Sequence, residues 1–172
     1  MAMIDAEGLT IADLEAMPDD GRRYELLGGS IVVNASRAPR HQRASFRLAR
    51  LLADRLPAGH ELFLAPTDLD LPNEQRVVPD LVVAPASSVG AERLSLPVLL
   101  VVELLAPSTA HWDAIAKRQA YAEAGIEHYW LLDTRSGSER FTALRLTSRS
   151  TAYDVVADSV DGIDVAEPIA VS

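Results

Sequence analysis

The chain has 172 residues, 48% of them hydrophobic, a formal net charge of −9 at pH 7 and no cysteine. That length suffices for one domain with a substantial core, and the missing thiols exclude disulfide frameworks, thiolate zinc sites and cysteine nucleophiles. The acidic balance argues against a broad polyanion-binding surface, since nonspecific nucleic-acid affinity comes mostly from Lys and Arg on phosphates. Local basic groups remain at Arg22 and Arg23, and at Arg37, Arg40, Arg43 and Arg47. Residues 1–7 lack a basic segment followed by an apolar core, and no apolar run approaches the ~20 residues of a membrane span, so a cytoplasmic protein without membrane association is expected.

Thr10 to Met17 reads as a short helix, with Thr10 as N-cap, Asp13 at the capping-box position and Pro18 to Gly21 as its stop. Tyr24–Leu27 and Ser30–Val33 flank Gly28-Gly29, a pair suited to a tight hairpin, which puts Glu25 on a strand near the start of a sheet. From about His41 to Leu56, Phe46, Leu48, Ala49, Leu51, Leu52 and Leu56 recur at helical spacing, while Arg43, Arg47, Arg50 and Asp54 fall largely elsewhere. Glu61 to Leu71 then reads as extended, leading through Asn73-Glu74-Gln75 to a strand over Val77–Val83 that contains Asp80, a loop over Pro85–Leu94, and a strand through Glu103. Pro107-Ser108-Thr109 breaks the chain and caps a helix running to about Ala124, closed by Gly125. The strand His128–Asp133 follows, then a hairpin of Phe141–Leu146 and Thr151–Val156, and a tail from Gly162 with a weak signal. The order is that of one mixed α/β (α+β) domain spanning 1–172, with its core at about 8–160.

Two carboxylates are out of place in this pattern. Glu103 interrupts Leu96 to Ala106, and Asp80 interrupts Val77 to Val83, both otherwise apolar. So apolar a run reads as a strand covered on both faces, where an ionised carboxylate is costly unless a cation or hydrogen-bond donors neutralise it. A divalent metal is one neutraliser and Lys117 is another. Asp113, Lys117 and Tyr121 are spaced four apart on one helix face, and that helix starts soon after the Glu103 strand, so Lys117 can reach the Asp80/Glu103 region. Each residue also has a bland reading: an exposed Asp113–Lys117 pair, a turn-capping Asp80, a Glu103 paired with arginine. Two strand acids, a third at Glu25 and a helical lysine together supply what metal-assisted phosphodiester hydrolysis requires: hard oxygen ligands for Mg²⁺ or Mn²⁺, and a cation to orient water or stabilise developing charge.

Several segments taken together resemble a known family. They are Arg23-Tyr24-Glu25-Leu26-Leu27-Gly28-Gly29, His41-Gln42, Val78-Pro79-Asp80-Leu81, Val102-Glu103-Leu104-Leu105-Ala106-Pro107-Ser108-Thr109, Asp113 with Lys117 and Tyr121, Gly125, and Tyr129-Trp130-Leu131-Leu132-Asp133. In order and spacing the chain resembles the Uma2-type restriction endonucleases of the PD-(D/E)XK nuclease superfamily. The resemblance implies a restriction-endonuclease-like core, a central mixed sheet flanked by helices with an N-terminal β-hairpin. It also implies Asp80 and Glu103 as metal ligands, Glu25 as an additional acid and Lys117 as the catalytic lysine. The superfamily's lysine two residues after the second acid is replaced here by Leu105, with Lys117 fitting a lysine moved to the next helix, and Ala106 stands where the family commonly has serine.

His41 opens its helix and either faces the site or caps it; His41, Asp113 and Tyr121 are candidates for a supporting shell. Tyr129 and Trp130 read as packing residues. Asp68 and Asp70 share one sheet face, near Asp80 or simply solvated. The leading expectation is a Mg²⁺-dependent DNA endonuclease, acting as a homodimer if it cuts both strands. The alternatives are a noncatalytic nucleic-acid- or protein-binding module on the same fold, and hydrolysis of another phosphodiester such as RNA.

Overall fold

In the computed structural model, the described residues are 2–4, 8–34, 38–105, 113–134, 138–147 and 152–171, without the side chains of 2, 3, 113 and 114. Near the N-terminus, strand β1 (Ala2–Ile4) precedes helix α1 (Ile11–Glu15), whose capping box joins Thr10 and Asp13 as the sequence predicts. Gly28 and Gly29, both at positive φ, turn β2 (Arg23–Leu27) back on β3 (Ser30–Asn34), with Leu27 opposite Ser30 and Glu25 opposite Val32. A two-residue turn of this kind needs φ > 0 at both positions, which glycine adopts without a Cβ clash.

Helix α2 (Pro39–Ala53) follows, with Pro39 in its first turn. Its buried positions are His41, Ala44, Leu48, Ala49 and Leu52. Phe46, expected on the apolar face, is instead 59% exposed. At 100° per residue it lies well round the helix from Leu48 and Leu52, and the apolar count alone hid that offset.

The predicted extended stretch divides into β4 (His60–Leu64) and β5 (Leu69–Leu71), and the predicted Val77–Val83 strand divides into β6 (Gln75–Val77) and β7 (Leu81–Pro85). Asp80 therefore lies between two strands and not within one. The division follows from two sheets among the described residues. β1-β3-β2-β6-β5 form one; β11 (Tyr153–Val160), β10 (Arg140–Leu146), β9 (His128–Asp133), β8 (Leu100–Leu105), β7 and β4 form the other. Val78-Pro79-Asp80 carries the chain from one sheet to the other, and the N-terminal hairpin belongs to the five-stranded sheet.

The six-stranded sheet is mixed, with β8 and β9 parallel. Alternation along its strands sends Leu81, Val83, Leu100, Val102 and Leu104 to one face, where they pack on α2, and Val82, Ala84 and Val101 to the other. That second face meets the five-stranded sheet through Leu27, Leu69 and Val77, and helix α3 (Arg118–Glu123) through Ala120, Tyr121 and Ala122. Both faces of β8 are thus covered, as its apolar run predicts, and Glu103 shares parity with Val101 on the side of α3. Residues Asp113–Lys117 form a π-helical turn leading into α3, which Gly125 closes at positive φ; the predicted cap Pro107-Ser108-Thr109 lies outside the described residues. The C-terminal tail, weak in sequence, pairs Val165 with Val171 and buries both with Ile169 against the α2 side of the core. No helix among the described residues is long and apolar enough to cross a membrane.

Candidate active site

Where the two sheets meet, Lys117 is 1% exposed and its Nζ lies 2.7 Å from Glu25 Oε1 and 2.9 Å from Glu103 Oε1. One carboxylate comes from β2 and the other from β8, so the lysine spans the seam between the sheets. Lys117 is thus buried, where the residues taken singly also allowed an exposed lysine, and Glu103 has a lysine for a partner. Tyr121, one turn further along the helix, donates from its hydroxyl to the same Glu103 Oε1 at 2.8 Å. Burial and the neighbouring Glu103 charge hold the Tyr121 phenol well above its ordinary pKa, so it stays a proton donor.

Glu25 is held from three sides. Its Oε1 accepts from Val78 N at 2.6 Å, on the segment that crosses between the sheets, and its Oε2 accepts from Asn34 Nδ2. Asn34 is buried and was missed in the sequence reading. A signal was available: the Gly28-Gly29 turn sets Glu25 opposite Val32, and residue 34 is then its diagonal neighbour on the same face.

Asp80 reaches the same region from the other end of that segment. Its Oδ2 accepts from Leu104 N at 2.8 Å and lies 3.2 Å from His41 Nε2. The β7–β8 ladder pairs Leu81 with Val102, and one step further along this register Asp80 meets Glu103. Asp80 and Glu103 are both buried, and their second oxygens, Asp80 Oδ1 and Glu103 Oε2, accept no hydrogen bond among the described residues. Two buried carboxylates set side by side supply hard oxygen donors, which fit Mg²⁺, an ion bound through one or two carboxylates that keeps several waters. They do not make a cage. Among the described residues no group of three or more His, Cys, Asp or Glu is arranged to hold a metal.

The structure thus brings Glu25, Glu103, Lys117 and Tyr121 into direct contact, and sets Asp80 with His41 against the residue following Glu103. The Asp113 side chain lies outside the described residues. Asp70 turns to Arg76 at 2.6 Å, and burial raises the pKa of Asp68 against the opposing charges of Arg76 and Arg93, so both belong to a separate ion cluster. Tyr129 and Trp130 pack edge-on against Tyr121 and Phe141, as expected of core residues. Beside Asp80 and His41 a cleft of about 340 Å³ opens to solvent between α2, β4 and the residues before β2.

Comparison with known proteins agrees with this arrangement at the level of fold. The crystal structure of a putative nuclease belonging to DUF820 from Anabaena variabilis ATCC 29413 is similar over 93% of this chain and 88% of that one, with a TM-score of 0.68 and 15% identity. No curated protein matches the chain. The family model described as Uma2, "Putative restriction endonuclease", matches residues 11–160, a span holding every residue of the seam and every strand of the two sheets except β1; the chain belongs to the Uma2 family.

Proposed function

We propose that this chain is a Mg²⁺-dependent endonuclease acting on DNA, with Asp80 and Glu103 as metal ligands, Glu25 as the additional acid and Lys117 as the catalytic lysine. The observation that carries the reading is the Lys117 bridge between Glu25 and Glu103, beside a third buried carboxylate at the base of an open cleft. Among the described side chains, three buried carboxylates face one lysine and one histidine. Carboxylates gathered in one buried place are costly to desolvate and useful where a cation is to be taken up.

Bound there, the metal supplies charge neutralisation at a phosphate and a more acidic water. The protein's own groups do the positioning. Lys117 fixes two carboxylates at once and offers an ammonium beside the reacting phosphate, where it orients the attacking water and opposes the developing charge. Tyr121, held protonated, donates to Glu103 and sets its orientation, while His41 and Leu104 N do the same for Asp80. Cutting both strands of a duplex would require two such sites and hence a pair of copies; nicking one strand requires a single site.

With Mg²⁺ or Mn²⁺ the purified protein should nick supercoiled DNA, and Glu103→Gln or Lys117→Met should each slow nicking by about 100-fold or more while circular dichroism stays native. Nicking that persists in both variants would reject this site. A noncatalytic binding module is the second reading, favoured by the lack of a three-ligand group among the described residues. Titration calorimetry separates the two: no metal uptake at millimolar concentrations would favour the binding module.

A further inference from the structure

Helix α2 carries Arg40, Arg43, Arg47 and Arg50 at exposed positions and no acidic residue. Among the described residues none of these four, nor Arg23, lies within ion-pair distance of a carboxylate. Arg22, Arg76, Arg93, Arg140 and Arg145 all do. Arg55 and Arg118 also lack a carboxylate neighbour but donate to the backbone carbonyls of Leu51 and Tyr153, so in a chain of net charge −9 the arginines with neither kind of partner among the described residues are those of α2 and Arg23. Phe46 stands on the same helix, 59% exposed, with the Arg50 guanidinium 6.0 Å from its ring centroid and Gln42 one turn before it. Gln42 and Phe46, with Arg23 and Leu64, line the cleft whose inner end is His41 and Asp80.

We propose that this cleft is a subsite for one unstacked base of a single-stranded nucleic acid, stacked on Phe46 with its backbone phosphates on the α2 arginines, so that the strand leads to Asp80. The inference rests on the nuclease reading for the identity of the strand. Three features favour this occupant. Arginines without carboxylate neighbours complement phosphates, and counterion release makes that term large. An aromatic face set among cations is the platform on which bases stack irrespective of sequence. The cleft is continuous with the carboxylate site, so a strand seated in it brings a neighbouring phosphate to Asp80. In an intact duplex the base faces are already stacked on one another and unavailable to Phe46; a single strand presents them freely.

The test is fluorescence anisotropy in EDTA, where no cutting occurs, with a labelled oligothymidylate and a duplex of equal length. The native protein should prefer the single strand. Phe46→Ala should weaken single-strand binding about ten-fold and leave duplex binding unchanged. Arg43→Ala with Arg47→Ala should weaken both and reduce the single-strand salt slope by roughly 1.4. Arg145→Ala, which alters an arginine paired with Glu127 and Glu167 away from the cleft, should change neither. No measurable binding, equal affinity for both probes, or a Phe46→Ala variant that binds as the native protein does would overturn the subsite. Phe46-dependent binding by a protein that never nicks DNA would overturn the nuclease reading and leave the subsite standing; nicking with binding indifferent to Phe46 would do the reverse.

Discussion

Removing the Lys117 ammonium takes away the cation that Glu25 and Glu103 share, and a buried carboxylate stripped of its ion partner costs about 3–5 kcal/mol. Lys117→Met should therefore lower stability by that amount in urea unfolding, and adding Glu103→Gln should recover part of it. A single variant as stable as the native protein would show that the bridge does not hold the seam. Asn34→Ala removes a donor to a charged, buried acceptor and should cost about 1.5–3 kcal/mol, leaving β3 itself formed. At this scale the sequence was legible where chemistry conflicted with its surroundings. Glu103 and Asp80 stood out because their neighbours are apolar, and Lys117 and Tyr121 because helical spacing aligned them. Asn34 ends a strand, where polar residues are ordinary, so only its register against Glu25 distinguishes it.

Secondary elements were legible where local stereochemistry decides them. The Thr10–Asp13 capping box, the Gly28-Gly29 hairpin and the strand His128–Asp133 all form as read. A Cβ at Gly28 would meet no atom within 4 Å, so a substitution there costs only its backbone conformation. Gly28→Asn should consequently change stability by less than about 0.5 kcal/mol, and Gly28→Val should destabilise by about 1–2 kcal/mol. Equal losses for the two would point to a hidden packing clash instead. The division of Gln75–Pro85 into two strands was not legible: the apolar residues run on through Val78 and Pro79, and which sheet each half joins is fixed by partners far away in sequence. The same non-local selection turns Phe46 outward and brings the tail residues Val165 and Val171 onto the core.

For the molecule as a whole, the covered faces of β8 were foreseeable from its apolar run, the hairpin from its glycine turn and the mixed sheet from the family resemblance, but the second sheet was not, because β5 and β6 are three-residue strands that borrow their stability from β2. The fold also carries a titration of its own. Burial lowers the pKa of His128, at the start of β9, from its ordinary value of 6.5, and the nearby Glu127 offsets this only in part. Above pH 6.5 the imidazole is neutral in both folded and unfolded chains. As the pH falls through that value the unfolded chain takes up the proton first, so stability should decline downward from about pH 6.5 until the folded pKa is reached. Urea midpoints measured from pH 7.5 to 5 should fall more steeply for the native protein than for His128→Gln; parallel curves would assign the decline elsewhere. The seam at Lys117 has a broader consequence. Because its two carboxylates belong to different sheets, a cation bound at Glu103 as proposed would compete with the contact that joins one sheet to the other. Uptake and local opening would then be linked: the factor by which a bound cation changes the opening equilibrium of β2 is the factor by which that opening changes the cation's affinity, and amide exchange in the hairpin becomes a reporter of occupancy.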